Sequence, residues 1–278
     1  MIENIKSFEP VHIFECGQCF RWNKEKDGSY IGVFKNNVIK VEKKENNVIF
    51  KGICEKDIKE ICIDYFSLNE NYEKIKQDLS KIDDNLKTSI KFGDGIRILH
   101  QDLWETIISF IISANNNIPR IKKIIERISE KYGKKIVFEN KEYYTFPTPE
   151  ELSKASVEDL RNIGLGFRDV RVYETTRKIY NGEVNLENLE KEKNIEKIEE
   201  TLLSLPGIGP KVADCIMLFS LKKYQVFPID VWVRRVISEL YFDNKEQKPQ
   251  KIKEFARNYY GNKAGLAQQY LFYWRREL

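Results

Sequence analysis

The sequence predicts an α+β protein, in which an N-terminal antiparallel sheet domain is followed by a long all-helical region. Three observations lead to this fold class. β-rich segments separated by turn residues fill residues 19–50, helical spacing of apolar residues dominates from residue 99 onward, and 41% of the 278 residues are hydrophobic, which is enough for real cores. We place the domain boundary after residue 91, so that the sheet domain covers residues 1–91 and the helical region covers residues 92–278.

The strands are predicted from four segments, CFRW, SYIGVF, NVIKVEKK and NVIFKG. The sequences KDGS, KNN and ENN between them are typical of turns, so the segments predict an antiparallel meander. Two helical segments follow, KDIKEICIDYFSL and NYEKIKQDLSKI, and we expect them to cover one face of the sheet. The polar segment KTSIKFGDG is predicted to end the domain.

The helices of the second region are predicted from apolar spacing and capping residues. The helix QDLWETIISFIISA stops at three asparagines, and Pro119 opens the next helix. Ser156 caps SVEDLRNI, and the turn GLG separates that helix from FRDVRVYETTRKIYNG. Further helices are NIEKIEETLLS, one that begins near Asp230, and a last one from about Lys263 to the end.

The small net charge leaves the partner of this chain open. Its 47 basic and 43 acidic side chains give a net charge of +4, so any attraction to nucleic acid must come from local clusters. The N-terminus lacks a signal-peptide pattern, and no apolar run has membrane-spanning length. We therefore expect a soluble, cytoplasmic protein that makes no membrane contact.

The cysteines predict neither disulfides nor a metal site. Five cysteines are an odd number, which argues against a disulfide framework. Cys16 and Cys19 form a CxxC, but Cys54 and Cys62 downstream are eight apart and do not form the second tight pair of a structural zinc site. Because no cysteine follows Cys215, a cysteine-ligated iron–sulfur cluster near the C-terminus is excluded.

The segment LPGIGPKVADCIM, residues 205–217, joins a glycine turn to the start of a helix. Gly207 and Gly209 lack a Cβ, so a ligand can approach the backbone, and the free amides of the helix N-terminus favour a phosphate. Lys211 is either a basic residue that faces this phosphate or a catalytic amine, and the segment alone favours the first. Asp230, in FPIDVW, is either a helix N-cap or its chemical partner.

Five segments together resemble one enzyme family. They are GQCFRW, SANNNIPRI, NIGLGFRDVRV, LPGIGPKVADCIMLFS followed by PIDVW, and GLAQQYLF. In this order they resemble the 8-oxoguanine DNA glycosylases of the helix-hairpin-helix superfamily, over nearly the whole chain. The resemblance implies a sheet domain of TATA-binding-protein-like topology, followed by a helix-hairpin-helix glycosylase region. It also implies a bifunctional DNA glycosylase/AP lyase that excises 8-oxoguanine in base excision repair.

The resemblance assigns Lys211 as the nucleophile and Asp230 as its acid/base partner. An amine can attack C1′ of the damaged nucleotide, expel the base and form a Schiff base, after which β-elimination cuts the strand. Burial beside a helix N-terminus is expected to lower the pKa of Lys211 and so to favour the free amine. The Asp230 carboxylate is expected to stabilise positive charge on the sugar.

The resemblance also implies a pocket for a base flipped out of the duplex. Phe272 would stack on one side of the base, Cys215 would lie on the other, and Gln268, four residues from Phe272 on the last helix, would meet its Watson–Crick edge. The Gly17 carbonyl would accept a hydrogen bond from N7–H, which 8-oxoguanine has and guanine lacks. The structural alternatives are core packing for Phe272, a small buried residue for Cys215 and a turn glycine for Gly17.

The DNA-binding residues are likewise taken from the resemblance. Asn115 and Arg120 match residues that fill the vacated stack and read the estranged cytosine, and Phe167 and Arg168 match the wedge beside them. Phe167 stands where tyrosine is frequent, and Trp232 stands where better-known members carry a histidine. These two departures leave the stringency for cytosine and the substrate range open.

No cofactor is expected to be required, although the resemblance implies a bound K⁺ or Na⁺ on backbone carbonyls of Leu203, Leu205 and Ile208. The expected partner is double-stranded DNA containing 8-oxoguanine, bound by a monomer in the nucleoid-containing bacterial cytoplasm. Two alternatives remain: a noncatalytic helix-hairpin-helix DNA-binding protein, and a glycosylase for alkylated bases or oxidised pyrimidines. Lys211 disfavours the monofunctional alkylated-base branch, and the missing cysteine cluster disfavours the endonuclease III and adenine-mismatch branches.

Overall fold

The N-terminal part of the chain contains a four-stranded antiparallel sheet. A computed structural model describes residues 5–45, 47–53 and 57–278. The strands are β1 (Trp22–Lys24), β2 (Tyr30–Phe34), β3 (Asn37–Lys44) and β4 (Asn47–Ile53). Each strand pairs with the next along the chain, in the order β1-β2-β3-β4, so the predicted meander is confirmed. Within the described residues, no helix is both long and apolar enough to cross a membrane.

Aromatic packing joins the sheet to the helices beside it. Four helices lie in this part of the chain: α1 (Pro10–Phe14), α2 (Ile58–Tyr65), α3 (Tyr72–Ser80) and α4 (Asp84–Phe92). Of these, only α1 and α2 contribute buried residues to the core cluster of the sheet, so the expectation that the α3 segment also covers the sheet was wrong. The Phe14 and Trp22 rings stack with centroids 4.1 Å apart, and those of Phe34 and Tyr65 stack at 3.8 Å. Helix α2 also contacts β4, as expected for a helix that covers the sheet.

Helix α4 occupies part of the segment that was predicted to be a polar end of the domain. The sequence analysis did not predict this helix, in which Leu86 and Ile90, four residues apart, form a buried stripe and Asp83 caps the start by accepting from the Leu86 N–H. Side chains of α3 and α4 belong to the same hydrophobic core cluster as those of the later helices. The domain boundary after residue 91 stays a prediction.

The remaining helices follow the predicted order. They are α5 (Leu103–Ser113), α6 (Ile118–Tyr132), α7 (Pro149–Leu152), α8 (Val157–Ile163), α9 (Asp169–Tyr180), α10 (Leu186–Lys191), α11 (Ile195–Leu203), α12 (Pro210–Phe219), α13 (Val231–Tyr241), α14 (Pro249–Tyr260) and α15 (Ala264–Glu277). Ser156 caps α8 through a capping box with Asp159, as predicted. A short 3₁₀ turn, Gly166–Arg168, leads into α9.

A β-hairpin interrupts the helical region, which the sequence analysis did not predict. Its strands are β5 (Lys135–Phe138) and β6 (Lys141–Tyr144). Glu139 and Asn140 form the two-residue turn with φ of 48° and 59°, a conformation that Asn tolerates better than most residues. The alternating segment KIVFENKEYY therefore carried a hairpin signal.

The last helix returns to the middle of the helical region and packs closely there. Helix α15 packs against α4, α13 and α14. A Cβ at Gly265 would lie 2.7 Å from Leu218 Cδ1 of α12, and the Gly265 N–H donates to the Tyr224 carbonyl at 2.7 Å. This close approach brings the side chains of α15 next to those of α12.

Candidate active site

A pocket with a volume of about 50 Å³ lies between α12, α13, α15 and the turn that precedes β1. All six residues predicted for catalysis or base binding line it: Gly17, Lys211, Cys215, Asp230, Gln268 and Phe272. The other lining residues are Cys16, Phe110, Phe219, Pro228, Val233 and Gln269. Residues from both ends of the chain therefore meet at the start of α12.

Lys211 is the second residue of α12 and its amine faces this pocket. Gly209 precedes the helix without a capping side chain, so the amides of the first turn remain open. The Lys211 Nζ lies 5.5 Å from the centroid of the Phe110 ring, and Cys215, one turn later on α12, lines the same pocket. No carboxylate oxygen among the described residues lies within ion-pair distance of it. The amine is thus half-buried and free of an ion pair.

The pKa of Lys211 differs from the prediction. Cys215 and Asp230 raise it above its usual value and outweigh the opposite effect of desolvation, so the expected lowering was wrong. Burial raises the pKa of the Cys215 thiol to about 11, so the thiol becomes a thiolate only in the alkaline range in which Lys211 also titrates, and there its charge favours the ammonium form of Lys211. At pH 7 the free protein holds Lys211 as an ammonium, and an ammonium must lose its proton before it can act as a nucleophile.

Asp230 is both a helix cap and a pocket residue. Its Oδ1 accepts the Val233 N–H at 2.7 Å and so caps α13. Within the part of the chain that is described, Oδ2 takes part in no hydrogen bond. The cap fixes the orientation of the carboxylate while one oxygen remains available to the pocket.

Gln268 brings a buried acceptor without a partner into the pocket. Its side chain is 5% exposed, and its Oε1 makes no hydrogen bond. An unpaired buried acceptor is costly and calls for a ligand that donates to it. The neighbouring Gln269 has a different task, because its Nε2 donates to the Cys16 carbonyl at 2.7 Å and ties α15 to the turn that carries Gly17.

Gly17 is a turn glycine that also forms part of the pocket wall. Its φ of +87° favours glycine, and a Cβ there would lie 3.6 Å from Phe272 Cε1. Its carbonyl oxygen accepts no hydrogen bond from any described residue, so it is available to a ligand. Phe272 is half-buried and Cys215 is 3% exposed. This burial fits core packing as well as a place in the pocket wall, so it does not decide between the two roles for either residue.

Sequence reasoning did not single out the residues that hold the Gly17 turn. Gln18 is fully buried, and its Nε2 donates to the carbonyls of Ile13 at 2.9 Å and Arg97 at 2.8 Å. Its Oε1 accepts the Leu99 N–H at 2.8 Å. A glutamine inside the apolar segment CGQCFRW was the available signal, since buried polar side chains need partners.

The CxxC cysteines serve the same turn as protonated thiols. Cys16 donates to the Ile13 carbonyl at 3.3 Å and Cys19 to the Phe14 carbonyl at 3.8 Å. Burial raises the pKa of Cys16 to about 11. Cys54 lies outside the described residues, and among those described no group of three or more His, Cys, Asp or Glu side chains is arranged to hold a metal.

The asparagine loop (residues 115–117) with the start of α6 contacts the turn before α9, and together these segments carry three of the predicted DNA-binding residues. Asn115 is exposed with φ of 50°, and the exposed Arg120 donates to the Gly164 carbonyl at 3.2 Å. Phe167 is 57% exposed, which is unusual for a large apolar side chain and is typical of a binding surface.

Arg168 lies beside Asn115 and Phe167, as expected for a residue of the wedge. It is 2% exposed in the free protein, and its guanidinium donates to the carbonyls of Ala114 at 2.8 Å, Asn115 at 2.7 Å and Leu165 at 3.1 Å. The guanidinium carbon also lies 4.2 Å from the centroid of the Phe167 ring. Arg168 therefore holds the asparagine loop and supports Phe167, and its contact with DNA stays a prediction.

The other predicted DNA-binding residues lie near the starts of α12 and α13. Gly207 lies in the turn between α11 and α12, which we call the hairpin turn. Its φ of +88° favours glycine. A Cβ at Gly209 would meet nothing within 4 Å, so a ligand can approach that backbone. Trp232, in the first turn of α13, is 40% exposed.

The three carbonyls predicted to hold a monovalent cation lie in and just before the hairpin turn. The Leu205 carbonyl accepts the Ile208 N–H at 3.2 Å and keeps a second lone pair. Leu203 ends α11, where helical carbonyls lack intrahelical partners. These oxygens suit a hard cation in chemical type, and the cation stays a prediction.

Two protein families match the chain, and together they span most of it. Residues 1–107 match the N-terminal domain of 8-oxoguanine DNA glycosylase, and residues 108–261 match the HhH-GPD superfamily base excision DNA repair proteins. The N-glycosylase/DNA lyase of Saccharomyces cerevisiae is 33% identical over an alignment of 255 positions that covers 83% of this chain and 68% of the relative.

Solved structures agree with the family match. The 8-oxoguanine glycosylase/lyase of Clostridium acetobutylicum, in complex with double-stranded DNA containing cytosine opposite 8-oxoG, is 46% identical with a TM-score of 0.93, over 98% of this chain and 93% of that one. MBOgg1, in complex with a low-affinity DNA ligand, is 45% identical with a TM-score of 0.95, over 99% and 94%. The chain therefore belongs to the 8-oxoguanine DNA glycosylase family, the bifunctional N-glycosylase/DNA lyases of the helix-hairpin-helix superfamily of base excision repair.

Proposed function

We propose that this chain excises 8-oxoguanine from duplex DNA with Lys211 as the nucleophile and Asp230 as its acid/base partner. The observation that carries the proposal is one pocket in which an amine and a carboxylate lie with the unpaired Gln268 Oε1. The first two groups supply the chemistry, and the third is an acceptor for the hydrogen-bonding edge of a base. Binding of DNA phosphate alone would not supply a donor to this buried acceptor, whereas the edge of a base would.

Base release begins when the Lys211 amine attacks C1′ of the flipped nucleotide. The new bond joins Nζ to C1′, the bond from C1′ to N9 breaks, and its electron pair leaves with the base. The Asp230 carboxylate stabilises the positive charge that develops on the sugar. Because a bound base displaces water from the pocket, it disfavours the ammonium form of Lys211 and helps to supply the neutral amine.

Strand cleavage follows from the imine that the same amine forms. The sugar ring opens to a Schiff base between Nζ and C1′, which makes the C2′ protons acidic. Removal of one of them drives β-elimination, in which the bond from C3′ to its oxygen breaks and the 3′ phosphate leaves. Asp230 lines the pocket beside Lys211 and is a candidate to accept and return protons in these steps.

The lesion is recognised by acceptors placed around the base. The Gly17 carbonyl accepts from N7–H of 8-oxoguanine, which guanine lacks, and Gln268 Oε1 accepts from the N1–H and amino group of the Watson–Crick edge. Phe272 and Cys215 contact the faces of the base. Support for this assignment comes from the free state of both oxygens and from the fact that all four residues line one pocket.

The asparagine loop with the start of α6 and the turn before α9 hold the opened duplex. Asn115 fills the space that the flipped base leaves, Arg120 reads the estranged cytosine and Phe167 acts as the wedge. Their exposure and their position on two segments that contact each other support these roles. Flipping costs a few kcal/mol, roughly, and groups that replace the lost stacking reduce that cost.

The hairpin and the start of α13 bind the DNA backbone. The open amides after Gly209 accept a phosphate, and Trp232 contacts the strand near the lesion. When bound, a K⁺ or Na⁺ ion on the carbonyls of Leu203, Leu205 and Ile208 would supply positive charge next to that phosphate. We expect the enzyme to act as a monomer at the bacterial nucleoid.

The test of this function uses duplexes that differ only at the target base. Wild-type protein is expected to release 8-oxoguanine opposite cytosine and to cleave the strand, while a duplex with guanine at the same position stays intact. Release from both duplexes at equal rates would contradict recognition through N7–H, and release without cleavage would contradict the lyase step.

Replacing Gln268 by leucine is expected to separate activity from stability. Loss of the acceptor should slow 8-oxoguanine release by about 10- to 100-fold, because a hydrogen bond to the base is lost. The melting temperature should stay equal or rise, because the variant removes a buried acceptor that has no partner. Single-turnover kinetics and thermal unfolding measure the two effects.

The neighbouring glutamine gives the matched control. Gln269→Leu loses the bond to the Cys16 carbonyl and should lower the melting temperature. If Gln268→Leu destabilised the protein as much as Gln269→Leu and left the rate unchanged, Gln268 would be a structural residue and not a base contact.

A further inference from the structure

Arg171 lies between two elements that contact DNA in the proposed function, yet it was not among the predicted site residues. It is exposed on α9, four residues after Phe167, so the two side chains share a face. Its guanidinium carbon lies 5.4 Å from the centroid of the Phe167 ring. The exposed ring is therefore in contact with two guanidinium groups, those of Arg168 and Arg171.

The stem of Arg171 packs on the hairpin turn that precedes Lys211. A Cβ at Gly207 would lie 3.0 Å from Arg171 Cδ and 3.1 Å from Arg171 Cβ. One turn later on α9, the Thr175 hydroxyl donates to the Pro206 carbonyl at 3.0 Å. The Arg171 side chain thus runs from the hairpin turn to the wedge ring and links the two.

The charge of Arg171 is not neutralised inside the protein. Asp169, the nearest acidic residue along the chain, is buried and paired with Arg161 at 2.7 Å. Among the described residues, no carboxylate oxygen lies within 4.0 Å of the Arg171 or Arg120 guanidinium. Burial lowers the pKa of Arg168, and the charges of Arg120 and Arg171 lower it further, so the three cations lie close together.

Three neighbouring cations repel one another in the free protein. Such an arrangement favours binding of an anion, and the anion available between a DNA wedge and a DNA-binding hairpin is a phosphate of the duplex. Arg168 has already committed its N–H groups to carbonyls, whereas Arg171 has not. Arg171 is therefore the cation of the group that is free to bind that phosphate.

We propose that Arg171 binds a DNA phosphate between the Phe167 wedge and the hairpin, and that its stem braces the turn before Lys211. This proposal rests on the proposed function, because it requires a duplex opened by the wedge. It adds a phosphate contact and a positioning role for one residue: the guanidinium holds the strand, and the methylene groups hold the turn that sets the direction of α12.

Arg171→Met tests the phosphate contact, because methionine keeps an apolar stem and removes the charge. Binding is measured against salt with a duplex that carries an uncleavable tetrahydrofuran abasic-site analogue. The slope of log affinity against log salt concentration should fall by about 0.9, the value for one phosphate contact, and Arg171→Lys should restore it. Arg177→Met, an exposed arginine of the same helix, is the control and should keep the wild-type slope. A wild-type slope for Arg171→Met, or an equal loss in the control, would overturn the contact.

Arg171→Ala tests the brace, because it also removes the stem. At saturating enzyme, Arg171→Ala should release 8-oxoguanine about tenfold more slowly than Arg171→Met, since small shifts of a nucleophile are costly. Equal rates for the two variants would overturn the brace. Failure of wild type to release 8-oxoguanine would instead contradict the proposed function, and the binding slopes on the abasic analogue would still decide the phosphate contact.

Discussion

Lys211→Gln is expected to abolish the covalent intermediate of this enzyme. Borohydride reduces the Schiff base between the amine and C1′, so wild-type protein should be trapped on an 8-oxoguanine duplex and the variant should not. Base release should slow on the order of 10³-fold or more, because the amide of glutamine is not a nucleophile. Denaturing gels of the trapped complex and single-turnover release measure both effects.

A lysine on α11, the helix before the hairpin turn, provides the control for trapping. Lys197 is exposed on α11, and Lys197→Gln should give the wild-type amount of adduct. Binding of the abasic-analogue duplex by Lys211→Gln should remain, because the hairpin amides, the asparagine loop and the turn before α9 are unchanged. An adduct of wild-type strength in Lys211→Gln would show that another amine is the nucleophile.

Asp230→Asn is expected to separate binding from chemistry. Asparagine is as good an N-cap as aspartate, so α13 should keep its cap and the protein its melting temperature. The charge that stabilises the sugar cation is lost, and base release should slow by roughly 100- to 1,000-fold at saturating enzyme. Affinity for the abasic-analogue duplex should change little.

A second N-cap aspartate serves as the control for Asp230→Asn, because it lies away from the pocket. Asp57 caps α2 by accepting the Lys59 N–H at 2.7 Å, away from the pocket. Asp57→Asn should leave both the rate and the melting temperature unchanged. If Asp230→Asn released the base at the wild-type rate, Asp230 would be a helix cap and nothing more.

The fold was largely predictable because its signals are local. Alternating strands, turn residues and the cap at Ser156 depend on neighbours within one turn or one strand, and these predictions are confirmed. Helix α4 was missed because its apolar stripe is short and surrounded by polar residues. The β5–β6 hairpin was missed because its Glu139–Asn140 turn lacks glycine and the segments around it are helical.

The sequence predicted which residues line the pocket, but it did not predict the contacts that these residues make. The motifs indicate that Lys211, Asp230 and Gln268 belong together, but contacts between helices depend on packing that spacing along one helix does not encode. Arg168 illustrates this limit, since its carbonyl partner Ala114 lies 54 residues earlier in the chain. The raised pKa of Lys211 likewise depends on its neighbours in space, Cys215 and Asp230.

The bond from Gln269 to the Cys16 carbonyl joins positions 253 residues apart. The wall of the pocket is therefore completed only when the 14-residue helix α15 docks. Before α15 has emerged from the ribosome, a nascent polypeptide already contains Lys211 but lacks Gln268, so it has no acceptor in place for the edge of a base.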